Sequence, residues 1–167
     1  MVNFSQSNDI VRDEEFLCVD IQIPKIMISV TITKSVPFNK MYSITCALDA
    51  YHILQSAYDN IDFQERFVVI CLNRANKVIG LFTASVGGVA GTVADPKVIF
   101  TASLNCGASA IIISHNHPSG NATPSQADKD LTKKMVEAGK MLDLPVLDHL
   151  IITRERFLSF AEEGLLN

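Results

Sequence analysis

A chain of 167 residues with 48% apolar and 19% charged side chains has material for one well-buried core and too little for two ordinary domains. Its formal net charge of -4 and its scattered lysines and arginines exclude the basic stripe of a protein that neutralises many phosphates, so charge does not support nucleic acid as a partner. No apolar run approaches the ~20 residues that cross a bilayer, and the polar, acidic residues 1–15 carry no secretory pattern, so a cytoplasmic protein with no membrane partner is expected.

Residues 16–34 alternate apolar positions such as Ile28, Val30 and Ile32 around Pro24 and predict two short strands. With the rest of residues 1–43 they read as an extension before a main domain over 44–167. A helix is predicted over 45–58 from the recurrence of Ala47, Tyr51, Leu54 and Tyr58. The β-branched run RFVVICL at 66–72 is that of a strand covered on both faces, and 78–85 returns after a turn as its hairpin partner. Gly87, Gly88 and Gly91 mark a flexible loop, since neither P-loop closure nor dinucleotide spacing accompanies them.

Asp95-Pro96 opens a helix, because aspartate caps free N–H groups and proline is preset for the first helical position; Gly107 closes it. ASAIII at 108–113 is a buried strand. Thr123-Pro124 opens a second helix, with Gln126 in capping-box position and Ala127, Leu131, Met135, Ala138 and Leu142 as its inner stripe. A strand over 146–153 and a short helix over 157–163 complete a mixed α/β layout, a sheet flanked by helices. Cys18, Cys46, Cys71 and Cys106 stand singly and read as small buried hydrophobes.

The stretch SHNHPSGNATPSQAD at 114–128 lies between that buried strand and a capped helix, where chemistry commonly sits. In extended chain, residues two apart point the same way, so His115 and His117 can present both imidazoles to one point just beyond the strand. Pro118, Gly120 and Pro124 shape the returning loop, and Asp128 falls in the first turns of the next helix, on the side of Ser125. Two histidines and a carboxylate leave a fourth position of a tetrahedral zinc ion open to water, the arrangement of a catalytic site. An isolated HxH pair, by contrast, commonly does no more than cap backbone groups. The spacing is not that of a helical HExxH motif.

His115, His117, Ser125 and Asp128 reproduce the HxH, seven residues, S, two residues, D pattern of the JAMM (MPN-plus, or JAB) metallopeptidases, which include deubiquitinating isopeptidases. The sequence most resembles the RadC-like bacterial branch, through HNHPSG at 115–120, PSQAD at 124–128, LDHLIIT at 147–153 and SFAEEG at 159–164. The resemblance covers roughly residues 44–167. It implies a cytidine-deaminase-like, JAB-MPN type sheet, Zn2+ on His115, His117 and Asp128, and hydrolysis of an amide bond in a peptide or protein substrate. Glu65, in QERFVVICLN, matches the position of the general base that later protonates the leaving amine. Ser125 matches the hydroxyl that hydrogen-bonds the oxyanion. By themselves, Glu65 reads as a polar strand-edge residue and Ser125 as a helix N-terminal hydroxyl.

Asp148 and His149 belong to a family-like segment and serve either a ligand imidazole or strand packing. Asn116 stands where the eukaryotic peptidases usually have serine or threonine, and their ubiquitin-gripping insertions have no counterpart, so ubiquitin is not the expected substrate. Residues 1–43 are too short and strand-like for the helix-hairpin-helix region of full-length RadC proteins. The competing readings are a DNA-repair or DNA-maintenance accessory whose metal site is structural or vestigial, and a protein-interaction scaffold. Substrate identity and oligomeric state are not legible in these residues.

Overall fold

The structure, a computed structural model, describes residues 19–22, 29–32, 41–58, 61–87 and 94–166. Gly88, Gly91 and Cys18 lie outside these residues. Strands β1 (Val19–Gln22) and β2 (Ser29–Ile32) pair antiparallel, from Val19 opposite Ile32 to Gln22 opposite Ser29, and supply the two short strands predicted for 16–34.

Helix α1 (Ala47–Gln55) precedes the main sheet. Strand β3 (Arg66–Leu72) turns at residues 73–77 into its antiparallel neighbour β4 (Val78–Val86). Helix α2 (Pro96–Asn105) is capped by the Asp95 carboxylate, which accepts from the Lys97 amide at 2.9 Å. Its end is marked by Gly107 at φ 70°, a left-handed conformation that costs glycine little. Then come β5 (Ala110–Asn116), α3 (Gln126–Met141), β6 (Val146–Ile152) and β7 (Phe157–Ser159). The five strands run in the order β4-β3-β5-β6-β7. Only β5 and β6 are parallel, as their α3 crossover requires; β3 with β5 and β6 with β7 are antiparallel.

Side chains alternate across the sheet. Val68, Ile70, Leu72, Ile112, Leu150 and Ile152 pack on Ala50, Ile53 and Leu54 of α1. Phe67, Val69, Cys71, Ile111 and Ile113 pack on Ile99, Ala102, Met135 and Val136 of α2 and α3. Both faces of β3 and β5 are thus covered, which is why their sequences are apolar without a polar side. This is the mixed α/β sheet flanked by helices that the JAB/MPN resemblance implies.

Four expectations are corrected. The strand predicted at 108–113 begins at Ala110 and continues through Asn116, because Gly107 and Ala108 close the end of α2 through Leu104 O and Ser103 O, while His115 and Asn116 pair with Ile151 and Ile152. The α3 cap is Ser125 rather than Thr123; of the predicted inner stripe Leu131, Met135 and Ala138 pack into the core, but Ala127 and Leu142 at its ends are exposed, and Thr132, Val136 and Gly139 are buried beside it. In place of a helix over 157–163 there is β7, paired from Ile152–Phe157 to Leu150–Ser159, followed by a turn held by Asp148. The Asp148 carboxylate accepts from Ser159 Oγ at 2.5 Å and from Ala161 N at 2.9 Å. Finally, Cys71 is buried and Cys106 half-buried, but Cys46 is exposed at the start of α1, where its amide donates to Asp49. No described helix is long and apolar enough to cross a membrane.

Candidate metal centre

The end of β5 supplies the first donors. His115 is an inward residue of the strand, opposite Phe67 of β3 and Ile151 of β6, 2% exposed and with its ring parallel to that of Phe67. His117 follows the strand, held by its amide bond to Ile152 O at 2.9 Å. Being two residues apart in extended chain, the rings lie on one side of the sheet, the side covered by α3. A turn through Gly120, at φ 76°, folds the chain back, and its amide donates to His117 O at 3.0 Å.

Asp128 arrives from the first turn of α3. Its Oδ2 accepts from the Ser125 amide and the Ser125 hydroxyl, both at 2.7 Å, and the Asp128 amide donates to Ser125 Oγ at 3.2 Å. This reciprocal cap satisfies free N–H groups and fixes the carboxylate. Asp128 Oδ1 is 3.3 Å from His115 Nε2, Asp128 Oδ2 is 3.6 Å from His117 Nε2, and the two Nε2 atoms are 2.9 Å apart. Three ligands of a tetrahedral zinc ion with bonds near 2.0–2.1 Å stand about 3.3 Å from one another. The donor set therefore fits such an ion in both chemistry and size, and these three residues could hold a metal.

Charge in the cluster follows from its packing. For Asp128, burial works to raise the pKa, but hydrogen bonds with His115 and His117, the positive charge of His115 and the Ser125 bond together hold it well below the carboxylate range. The hydrogen bond with Asp128 raises the pKa of His117 against the opposing effect of burial, with help from the Asn121 carbonyl and the charges of Asp128 and Glu65. His117 Nδ1 lies 2.7 Å from Asn121 O, an atom that can only accept, so the proton of the neutral ring is on Nδ1 and Nε2 faces Asp128 as a lone pair.

Glu65 immediately precedes β3. The pairing of β3 with β5 begins two residues later, at Phe67 opposite His115, and the charge of Glu65 acts on the His117 ring, helping to raise its pKa. The segment is fixed from behind by Asn116, whose amide donates to Ile61 O at 2.7 Å and Gln64 O at 3.0 Å and accepts from Arg66 N at 2.7 Å.

His149 and Asp148, adjacent in β6, separate in space. His149 Nε2 is 2.8 Å from His115 Nδ1, and His149 Nδ1 is 2.6 Å from Thr132 Oγ1 of α3. Burial lowers the pKa of His149 well below that of a free imidazole. Asp148 faces β7 instead, with its carboxyl pKa raised by burial against the bonds from Ser159, Ala161 and His149. Thr132 is missed by sequence reasoning: no spacing rule links a helix threonine to a strand histidine 17 residues later. A polar recess of about 570 Å³ lies at the other end of the sheet, lined by residues including Arg74, Asn76, Ser109 and Asp143. It is remote from this cluster.

The profile of the RadC-like JAB domain matches residues 44–165. Among similar proteins, a UPF0758 protein of Flavobacterium johnsoniae is 46% identical over 126 residues, covering 75% of this chain and 55% of its own length. UPF0758 proteins of Caldanaerobacter subterraneus and Salinibacter ruber are 40% and 39% identical, each over 74% of this chain and 52% and 53% of their own lengths. The chain spans about half the length of these curated relatives. The match over most of its length shows that this chain belongs to the RadC-like JAB domain family.

Proposed function

We propose that this chain is a zinc-dependent hydrolase of the JAMM type, cleaving an amide bond in a peptide or protein substrate. The observation that carries this reading is the donor triad itself: His115, His117 and Asp128 set 2.9, 3.3 and 3.6 Å apart, a two-histidine, one-carboxylate set that leaves a coordination position open. These three residues would hold the ion, which supplies a Lewis acid and a water acidic enough to ionise near neutral pH. Glu65, whose charge acts on the His117 ring, takes the proton of the attacking water on its carboxylate and delivers it to the departing amine nitrogen. Ser125 gives its hydroxyl proton to Asp128 Oδ2, so its first task is to orient a ligand carboxylate. Donation to the oxyanion, the role implied by the family resemblance, requires the hydroxyl to leave Asp128, since it has one proton to give. The formal net charge of -4 favours this reading over DNA association.

Elemental analysis of purified protein is expected to find one zinc per chain, lost in Asp128→Ala. Cleavage of a peptide library by the zinc-loaded chain is expected to fall by about 100-fold or more in Glu65→Gln. A native chain that binds no zinc overturns the proposal. Cleavage that is unchanged in Glu65→Gln removes Glu65 from the mechanism.

A further inference from the structure

We infer that Thr132 and His149 are positioning residues that set the tautomer of His115, turning the lone pair of its Nε2 toward the metal position; this deepens the zinc reading above and rests on it. A hydroxyl has one proton to donate. That of Thr132 lies on the 2.6 Å bond to Asp128 O, a carbonyl that can only accept. The second contact of Oγ1, 2.6 Å to His149 Nδ1, is therefore one in which the hydroxyl accepts and His149 carries its proton on Nδ1. The other nitrogen of that neutral ring, Nε2, is bare and accepts from its 2.8 Å neighbour, His115 Nδ1. His115 then carries its proton on Nδ1, and its Nε2 faces Asp128 and His117 as a lone pair.

His117 reaches the same state by a separate route through the Asn121 carbonyl. Two unrelated chains of hydrogen bonds thus prepare two nitrogens for one cation. With the opposite proton order, the N–H of His115 would point at the position a metal must take. Thr132 and His149 are fully buried, and the His149 ring lies stacked on Phe160 with centroids 4.6 Å apart, so no solvent molecule or ring rotation readily substitutes for the bond pattern. Ligand histidines in general take such support through their second nitrogen; here another histidine supplies it, anchored in turn by the helix that carries Asp128. Through its bond to Asp128 O, the same hydroxyl touches the backbone of the third donor.

Long-range proton–nitrogen spectra of the histidine rings, recorded on metal-stripped protein above the range in which the rings ionise, test the inference directly. The native chain is expected to show His115 protonated on Nδ1; protonation on Nε2 overturns the inference. Thr132→Val is expected to introduce the Nε2-protonated form and to weaken zinc affinity about 10- to 100-fold in chelator competition, with Thr132→Ser restoring both. A folded Thr132→Val chain in which both are unchanged also overturns it. Thermal melting of the metal-free variants identifies one that fails to fold, and the native spectrum and Thr132→Ser then decide. Absence of zinc binding in the native chain sinks the hydrolase proposal alone, because the ring spectrum still reports the tautomer.

Discussion

Asn116 uses both ends of its amide on the backbone that flanks Glu65, accepting from Arg66 and donating to Ile61 and Gln64 from a fully buried position. It sits between two histidines in sequence but points away from them, as strand alternation requires. In Asn116→Ala, backbone groups on both sides of Glu65 lose their partners, at about 1–3 kcal/mol for each group left buried and unsatisfied. Because these bonds hold the segment of the candidate base and not the donors, turnover is expected to fall much more than zinc affinity. Urea titration, zinc titration and steady-state kinetics on one preparation check this, and an equal loss of both functions refutes it. His115, His117 and Asp128 were legible because one short stretch contains them. The sequence marks Asn116 only by its contrast with the eukaryotic peptidases, since its partners are set by the β3–β5 pairing, 50 to 55 residues away.

Helix α3 holds Asp128 and Thr132 over the sheet, and its close approach depends on Gly139. A Cβ at Gly139 would stand 2.6 Å from the Leu144 backbone oxygen, which has little freedom to retreat. Alanine is favoured over glycine in a helix by about 1 kcal/mol, but overpacking a fixed contact costs about 1–3 kcal/mol. Gly139→Ala is therefore expected to destabilise the chain in denaturant titration; a stability equal to or above that of the native protein contradicts the contact. The same geometry explains why periodicity misplaces this helix face. Leu131, Met135 and Ala138 pack inward as their apolarity suggests, but Thr132 and Gly139 are buried beside them while Ala127 and Leu142 face solvent, so apolarity alone misses part of the face. In β5 the error has a related cause, because Ser114, His115 and Asn116 are ladder residues whose polar side chains look like loop in sequence: Ser114 bonds the Tyr58 hydroxyl, His115 joins the donor cluster and Asn116 holds the segment at Glu65.

For the whole molecule, His149, His117 and Asp128 shape the acid response of the metal-free protein. His149 has a folded pKa below the 6.5 of a free imidazole, so unfolding takes up a proton and stability falls as pH drops below about 6.5. Asp128, held below its ordinary 3.8, contributes stability above that value and loses it as pH falls further. His117 has the opposite sign: its pKa is raised, so its contribution is complete below 6.5 and disappears as pH rises through the folded value. Metal-stripped chain is expected to be most stable near neutrality, with an acid limb approaching about 1.4 kcal/mol per pH unit for one proton. Urea unfolding at a series of pH values checks this, and His149→Phe should flatten the limb from about pH 6.5 to pH 5; an unchanged slope rules out His149 as its source. The layered architecture was legible from the alternation of strand-like and helix-like runs. The strand order was not, because it depends on which buried strands pair.

The three candidate donors also lie in one continuous segment, from the end of β5 to the first turn of α3, whereas Glu65 stands just before β3, about fifty residues before His115. Closing so short a loop costs little chain entropy, whereas bringing Glu65 alongside requires the long-range β3–β5 registry. The donor segment and the candidate base thus come together by separable events in folding: the segment from His115 to Asp128 closes locally, whereas Glu65 is brought toward it only once β3 and β5 pair.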